Sequence, residues 1–263
     1  MLTSAFYIYL WVMTGIAVVV FFTLYHVEAG YGMLISKRWG KTINNKTAWF
    51  LMEFPIFLIM LILWICSPHR WDIVPLVFLL IFQMHYAQRA LIFPWIIKGK
   101  SRMPIGIMSM GIGFNILNSM MQGYWIFYVA YNSKYPALFV QQGTAWFTSW
   151  QFILGCSLFI FGYIVNLRSD YIIRHLRKSD GDTNHYLPEG FLFNHVTCAN
   201  YLGELIEWLG FAILTWSVSG LVFFIWTFAN LVPRAHAIHK KYKQEFPIEM
   251  KEKKIKRIFP FVY

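Results

Sequence analysis

Ionisable residues stranded in apolar runs are where this chain can do chemistry, because a charge in hydrocarbon is costly and is kept for a use. Glu53 stands in the run Trp49-Phe50-Leu51-Met52-Glu53-Phe54-Pro55. A carboxyl left unpaired in such surroundings keeps its proton, and a protonated carboxyl donates a hydrogen bond. Packing against a neighbouring helix is the structural alternative. A second apolar run is interrupted by His85-Tyr86-Ala87-Gln88-Arg89. Tyr86 and Arg89 are three apart and share a helical face. With Glu53 on the preceding helix they outline a buried polar pocket. Asn118 and Gln122, four apart in a third apolar run, either line that pocket or bond neighbouring helices.

A second group suits a charged, hydrogen-bonding ligand. Asn166, Asp170, Arg174 and Arg177 have offsets of 0, 4, 8 and 11, which puts them on one helical face. Two arginines suit phosphate groups through bidentate bonds, and Asn and Asp suit a ribose or an amide. A solvated face with Asp170 paired to Arg174 is the plainer alternative. Asn200, Glu204 and Glu207 share another face at 0, 4 and 7. Two carboxylates entering a membrane helix need partners, and Arg234, His236, His239 and Tyr242 on the outgoing last helix are expected to supply them. A purely structural ion-pair network between these two helices stays open.

The elements that must position these residues are membrane helices. Of 263 residues, 58% are hydrophobic and only 13% are charged, about half the charged share of a soluble domain. Mean hydropathy is +0.49. Disordered, collagen-like and disulfide-scaffold classes are excluded by the same composition. A spanning helix needs about 20 mostly apolar residues. Five runs meet this clearly, at roughly 5–26, 48–66, 74–96, 104–130 and 144–165. Two more follow at roughly 199–216 and 218–233, with Ser217, Ser219 and Gly220 marking a tight reversal. The first run reads as a span and not as a cleavable signal, because it lacks a basic leader and a small-residue cleavage site. The expected fold is therefore all-α, a multi-pass seven-transmembrane-helix bundle forming one domain over 1–263.

Net charge is +11, and its placement points to membrane orientation and not to nucleic acid. Lys37, Arg38, Lys41 and Lys46 share one set of loops with Lys98, Lys100 and Arg102. The same side takes Arg168, Arg174, Arg177, Lys178 and the tail from Arg234 to Arg257, twenty of the 23 Lys and Arg. The opposite loops hold Arg70 and Lys134. This places the N-terminus outside and the C-terminus in the cytosol, in a bacterial inner membrane or the endoplasmic reticulum. The polar stretch at about 166–198 is cytosolic and long for a plain connection. The basic tail also suits contact with anionic lipid.

Cys66, Cys156 and Cys198 are dispersed and form no CxxC, which argues against a structural zinc site or a thioredoxin-like pair. There is no Walker A sequence, and Gly111-Ile112-Gly113 lies inside an apolar run, so it is no dinucleotide fingerprint. The eight histidines are too scattered for the histidine boxes of a di-iron membrane oxygenase, and no metal is expected.

These motifs, in this order, resemble the steroid 5α-reductase family. The match runs through Trp49 to Pro55, His85-Tyr86 with Arg89, and Gln122-Gly123-Tyr124. It is denser from Asn166 to Tyr263, with Gly181-Asp182-Thr183, Ala199-Asn200-Tyr201-Leu202-Gly203-Glu204-Leu205-Ile206-Glu207-Trp208, Arg234-Ala235 and His239-Lys240-Lys241-Tyr242. The resemblance implies a membrane reductase that uses NADPH on a 3-oxo-Δ4 steroid. Glu53 and Tyr86 would hold the C3 ketone, with Trp49, Asn118 and Gln122 beside the substrate. Asn166, Asp170, Arg174, Arg177, Asn200, Glu204, Arg234 and Tyr242 would bind the dinucleotide, joined by Tyr186 and His239, with Arg89 and Lys100 at its other side. Helices within about 1–130 would serve the substrate and those within about 144–263 mainly the cofactor. The chain departs from the pattern at Met52, where a glutamine often precedes the glutamate. It departs again at His185-Tyr186 and at Ile238-His239. The expected partners are a lipophilic small molecule and the bilayer, not nucleic acid, with the chain acting as a monomer. An enoyl-thioester or polyprenol reductase, an S-adenosylmethionine-dependent isoprenylcysteine-type methyltransferase, and a transporter using its polar residues as helix glue are the rival readings.

Overall fold

The computed structural model describes residues 2–132, 134, 136–177, 179, 182 and 184–263. Of the sequence features above, Lys178, Gly181 and Thr183 lie outside the described residues, as does the side chain of Lys37.

Seven long helices dominate: α1 (Leu2–His26), α2 (Asn45–Ile65), α3 (Ile73–Ala87), α4 (Ile105–Phe127), α5 (Trp150–His175), α6 (Ala199–Thr215) and α7 (Val218–Glu245). The all-α expectation is amended by one small ladder. Strands β1 (Thr42–Asn44) and β2 (Arg102–Pro104) pair antiparallel, Thr42 opposite Pro104. Arg102 closes it by donating from Nε to Thr42 Oγ1 at 2.8 Å. The ladder fixes where α2 and α4 begin, and these two helices pack along each other.

Among the described residues, five helical stretches are long and apolar enough to cross a membrane: Thr3–His26, Asn45–Ile65, Ile73–Ile96, Trp150–His175 and Val218–Glu245. Two of these helices differ in their bounds from the sequence reading. The segment Gly143–Thr148 is a 3-10 turn, so the fifth helix starts at Trp150 and runs ten residues past 165. Its polar end, from Asn166, is continuous helix and not loop. The last helix passes Pro233 without breaking and ends at Glu245, because a proline removes one backbone bond and a packed helix absorbs that loss. The reversal between α6 and α7 is as expected: Ser217 Oγ caps α7 by accepting from Gly220 N at 2.9 Å. Trp216 makes the turn in the left-handed region at φ 47°.

The tightest seam joins α5 to α6. Gly155 and Gly162 on α5 face Gly203 and Gly210 on α6, each pair seven residues apart and so two turns apart on one face. A Cβ on Gly162 would lie 2.3 Å from Glu207 N, and one on Gly210 would lie 2.4 Å from Phe159 N. Only glycine allows backbones this close, and close packing of small residues drives association of membrane helices. Between α3, α6 and α7 the core is aromatic: Trp208 packs against Phe223 at 4.4 Å and Phe82 at 5.6 Å between ring centroids. α1 lies against α7, with Trp226 Nε1 donating to Met13 O at 2.8 Å.

Candidate functional site

The glycine seam delivers the polar ends of α5 and α6 to each other. Asn166 Nδ2 donates to Asn200 O at 3.0 Å, and Asn200 Nδ2 donates to Asp170 Oδ1 at 3.2 Å. The other Asp170 oxygen accepts from Arg89 at 3.1 Å. The sequence alternative of an Asp170–Arg174 pair is not what forms. Arg89 comes from across the bundle because α3 continues as a π-helical turn over Gln88–Ile92. Pro94 follows, and its missing N–H and ring disfavour a regular α-helical turn there. Insertions of this type recur at functional sites. The Arg89 guanidinium sits over Trp49 at 4.9 Å and Phe93 at 4.6 Å. Glu204, Asp170 and Glu53 are the carboxylates that act on it electrostatically. Arg89 thus joins the expected substrate residues on α2 and α3 to the expected cofactor residues on α5 and α6.

Glu53 and Tyr86 are both buried, and each is held by an asparagine of α4. Asn115 Nδ2 donates to Glu53 Oε2 at 3.1 Å and to Met52 O at 2.8 Å. Asn118 Nδ2 donates to the Tyr86 hydroxyl at 3.4 Å. Gln122 Nε2 donates to Asn118 Oδ1 at 3.3 Å and to Ser219 O at 3.0 Å. The Tyr86 ring is packed by Phe82 at 4.7 Å and Trp208 at 5.8 Å. Sequence reasoning missed Asn115. Its spacing of three before Asn118 was the available signal, but Asn115 looks like any helix-packing amide until its partner is known.

The partners expected for Glu207 are wrong. Glu207 Oε1 bonds His85 Nδ1 at 2.7 Å, with both side chains almost wholly enclosed. It lies on the face of α6 turned toward α3, away from the cationic part of α7. Glu207 Oε2 has no partner among the described residues. The α7 residues are spent elsewhere. Arg234 donates from Nε to Tyr201 OH at 2.7 Å, from Nη1 to Ala29 O at 2.8 Å and from Nη2 to Tyr31 O at 3.1 Å. Its guanidinium stacks on the Tyr31 ring at 3.4 Å. His239 Nδ1 meets Thr197 Oγ1 at 2.7 Å. Tyr242 packs among Met250, Ile255 and Phe246. His236 packs edge-on to Tyr25.

The remaining expected residues ring the basic end of the bundle. Arg177 donates to Lys98 O, and Gly99 lies so close under it that a Cβ there would touch the guanidinium. Lys100 is exposed on the same connection. Tyr186 OH donates to Asp182 Oδ2 at 2.9 Å. No hydrogen bond to the side chain of Arg174 or Glu204 is found among the described residues. Ser169 Oγ is fully enclosed and also without a partner among them. A cavity of about 370 Å³ lies nearby, lined by Glu28, Met33, Lys240, Lys241 and Glu245 among others; Glu53 and Tyr86 are not in its wall. Lys241 reaches across it to the Met33 carbonyl. Among the described residues no cluster of His, Cys, Asp or Glu is placed to hold a metal ion.

Comparison with known proteins adds a family to this geometry. A family model described as 3-oxo-5-alpha-steroid 4-dehydrogenase matches residues 101–263. The protein is 35% identical over 258 residues to steroid 5-alpha-reductase DET2 of Gossypium hirsutum, covering 94% of this chain and 93% of that one. It is 34% identical over 249 residues to 3-oxo-5-alpha-steroid 4-dehydrogenase 1 of Mus musculus, covering 94% and 92%. Against 3-oxo-5-alpha-steroid 4-dehydrogenase 1 of Homo sapiens it is 34% identical over 223 residues, covering 84% and 81%.

Proposed function

The chain belongs to the 3-oxo-5-alpha-steroid 4-dehydrogenase family, and from that membership we propose that it reduces the C4=C5 double bond of a 3-oxo-Δ4 steroid with NADPH. The observation that carries this reading is the meeting of two polar groups inside apolar helices. Glu53 and Tyr86 are each held by an asparagine of α4, and Glu53 acts electrostatically on Arg89, which is bonded to Asp170 at 3.1 Å.

NADPH supplies the hydride, delivered to C5. The protein's part follows from where charge develops. As C5 accepts a hydride, negative charge moves through the conjugated system to the C3 oxygen. The Tyr86 hydroxyl and a protonated Glu53 donate hydrogen bonds to that oxygen. One well-placed donor in a dry site lowers the barrier by about 3–4 kcal/mol. Asn115 takes one Glu53 oxygen and leaves the other for substrate. Solvent provides the proton that reaches C4. The residues present fit a dinucleotide phosphate. Asp170, Asn200 and Glu204 suit hydroxyls and an amide, and Arg174, Arg177 and Lys100 lie on the basic side where phosphates would sit. Tyr186, Arg234, His239 and Tyr242 flank the same end, where Arg234 would exchange carbonyl partners for the ligand. Trp49, against Arg89, would separate the two halves.

In the membrane the proposed arrangement is seven spans, N-terminus outside and C-terminus cytosolic. α4, with 23 residues, is long enough, and α6, with 17, nearly so. Their hydropathy is lowered by inward-facing Asn115, Asn118, Gln122, Glu204 and Glu207, which lipid does not meet. Product analysis tests the activity. The purified protein with NADPH and a mixture of a progesterone-like 3-oxo-Δ4 steroid and an enoyl thioester should yield the saturated steroid. Reduction of the thioester alone, or no reduction, would overturn the proposal.

A further inference from the structure

A backbone carbonyl can only accept a hydrogen bond, and this simple rule orients three side chains in sequence. Ser219 O, in the first turn of α7, accepts a hydrogen bond from Gln122 Nε2 at 3.0 Å. The Gln122 amide must therefore present its NH2 group to α7. The same nitrogen reaches Asn118 Oδ1 at 3.3 Å. That contact makes Asn118 an acceptor on one side, so its NH2 group faces the Tyr86 hydroxyl at 3.4 Å. The phenol oxygen is the acceptor in that bond, and its own proton is left without a claim from Asn118. Gln122 and Asn118 have no exposed surface, so water does not substitute for either bond. The cost of the arrangement is visible: Gln122 Oε1 is enclosed with no partner among the described residues. Turning the amide would set that oxygen against the Ser219 carbonyl, so the orphaned oxygen is the cost of the orientation.

We infer that Gln122 and Asn118 are positioning residues that set the direction of the hydrogen bond at Tyr86, keeping the phenolic proton for the substrate carbonyl. This replaces direct substrate contact as their role, and it rests on the reductase reading above. The reverse orientation would put Asn118 Oδ1 against the phenol, which would then donate to the protein and be a poor donor to substrate.

The discriminating pair is Asn118→Asp and Asn118→Leu, both close to asparagine in size. Leucine leaves the phenol unheld but its proton free. An ionised aspartate takes the proton, whereas a protonated aspartate donates as asparagine does. Steroid turnover by N118D should therefore fall as pH rises from 6 to 8.5, by about a hundredfold, the cost of losing one donor. N118L should lose about tenfold with no such slope. The other titratable groups around Tyr86 are Glu53 on α2, His85 on α3, and Glu204 and Glu207 on α6. They are common to both variants, so the ratio of the two isolates residue 118. Gln122→Met, which frees Asn118 to turn, should lower kcat with unchanged NADPH affinity. Equal pH profiles for N118D and N118L, or a Q122M enzyme with wild-type kcat, would overturn the inference. A wild-type protein that reduces no steroid would instead sink the reading it rests on.

Discussion

Gly162→Ala is the sharpest test of how the bundle builds its site. The added Cβ would lie 2.3 Å from Glu207 N, 2.5 Å from Gly203 O and 2.8 Å from Glu207 Cα. All three atoms are backbone, so no side chain can rotate away. Ordinary contact begins at about 3.4 Å, and relief requires α5 and α6 to separate by roughly 1 Å. Overpacking of this kind costs about 1–3 kcal/mol, more where backbone must move. The same shift stretches the Asn166–Asn200 and Asn200–Asp170 bonds, now 3.0 and 3.2 Å, beyond useful length. A misplacement of about 1 Å can cost about a hundredfold in rate. The variant should show a lowered Tm in detergent and steroid turnover reduced on that order. Gly113→Ala is the control: its Cβ would meet nothing within 4 Å, and alanine favours a helix by about 1 kcal/mol. It should be neutral or slightly stabilised. A G162A protein matching wild type in both Tm and turnover would refute the close-seam argument.

Other perturbations separate the two halves of the site. Glu53→Gln and Tyr86→Phe should each cut turnover by about a hundredfold or more with NADPH affinity largely intact; near-wild-type rates in both would remove them from catalysis. Arg177→Ala should weaken NADPH binding, read by titration of cofactor fluorescence, with an unchanged affinity taking Arg177 out of the cofactor site. Glu207→Leu should destabilise by about 1–3 kcal/mol, because the enclosed His85 ring nitrogen loses its hydrogen-bond partner. The double change with His85→Leu should recover much of the loss, and a thermal melt showing no recovery would argue that the two residues act separately.

The candidate site groups and the helices were visible from residue types because lipid forbids alternatives. An apolar run of spanning length must be helical, and a carboxylate or arginine inside it stands out. Glu53 and Arg89 were found this way, Tyr86 by sharing a face with Arg89, and Asp170 by its helical spacing with Asn166, Arg174 and Arg177. What spacing could not supply was partner choice. Period alone places Glu207 on a face, but which helix meets that face depends on the approach of α3 to α6. The outgoing helix was the reasonable candidate, yet its Arg234 turns to the carbonyls of Ala29 and Tyr31.

The π-helical turn that aims Arg89 is likewise invisible in a pattern of hydrophobic residues, since it shifts the register of one turn without altering composition. The glycines of α5 and α6 were present in the sequence, seven apart on both helices. Their meaning emerges only when the two backbones are seen within contact distance. Local chemistry and solvent thus determined which residues are buried helix and which are polar exceptions. Tertiary packing decided which exceptions touch, because an interhelical hydrogen bond is set by distances that no single helix contains.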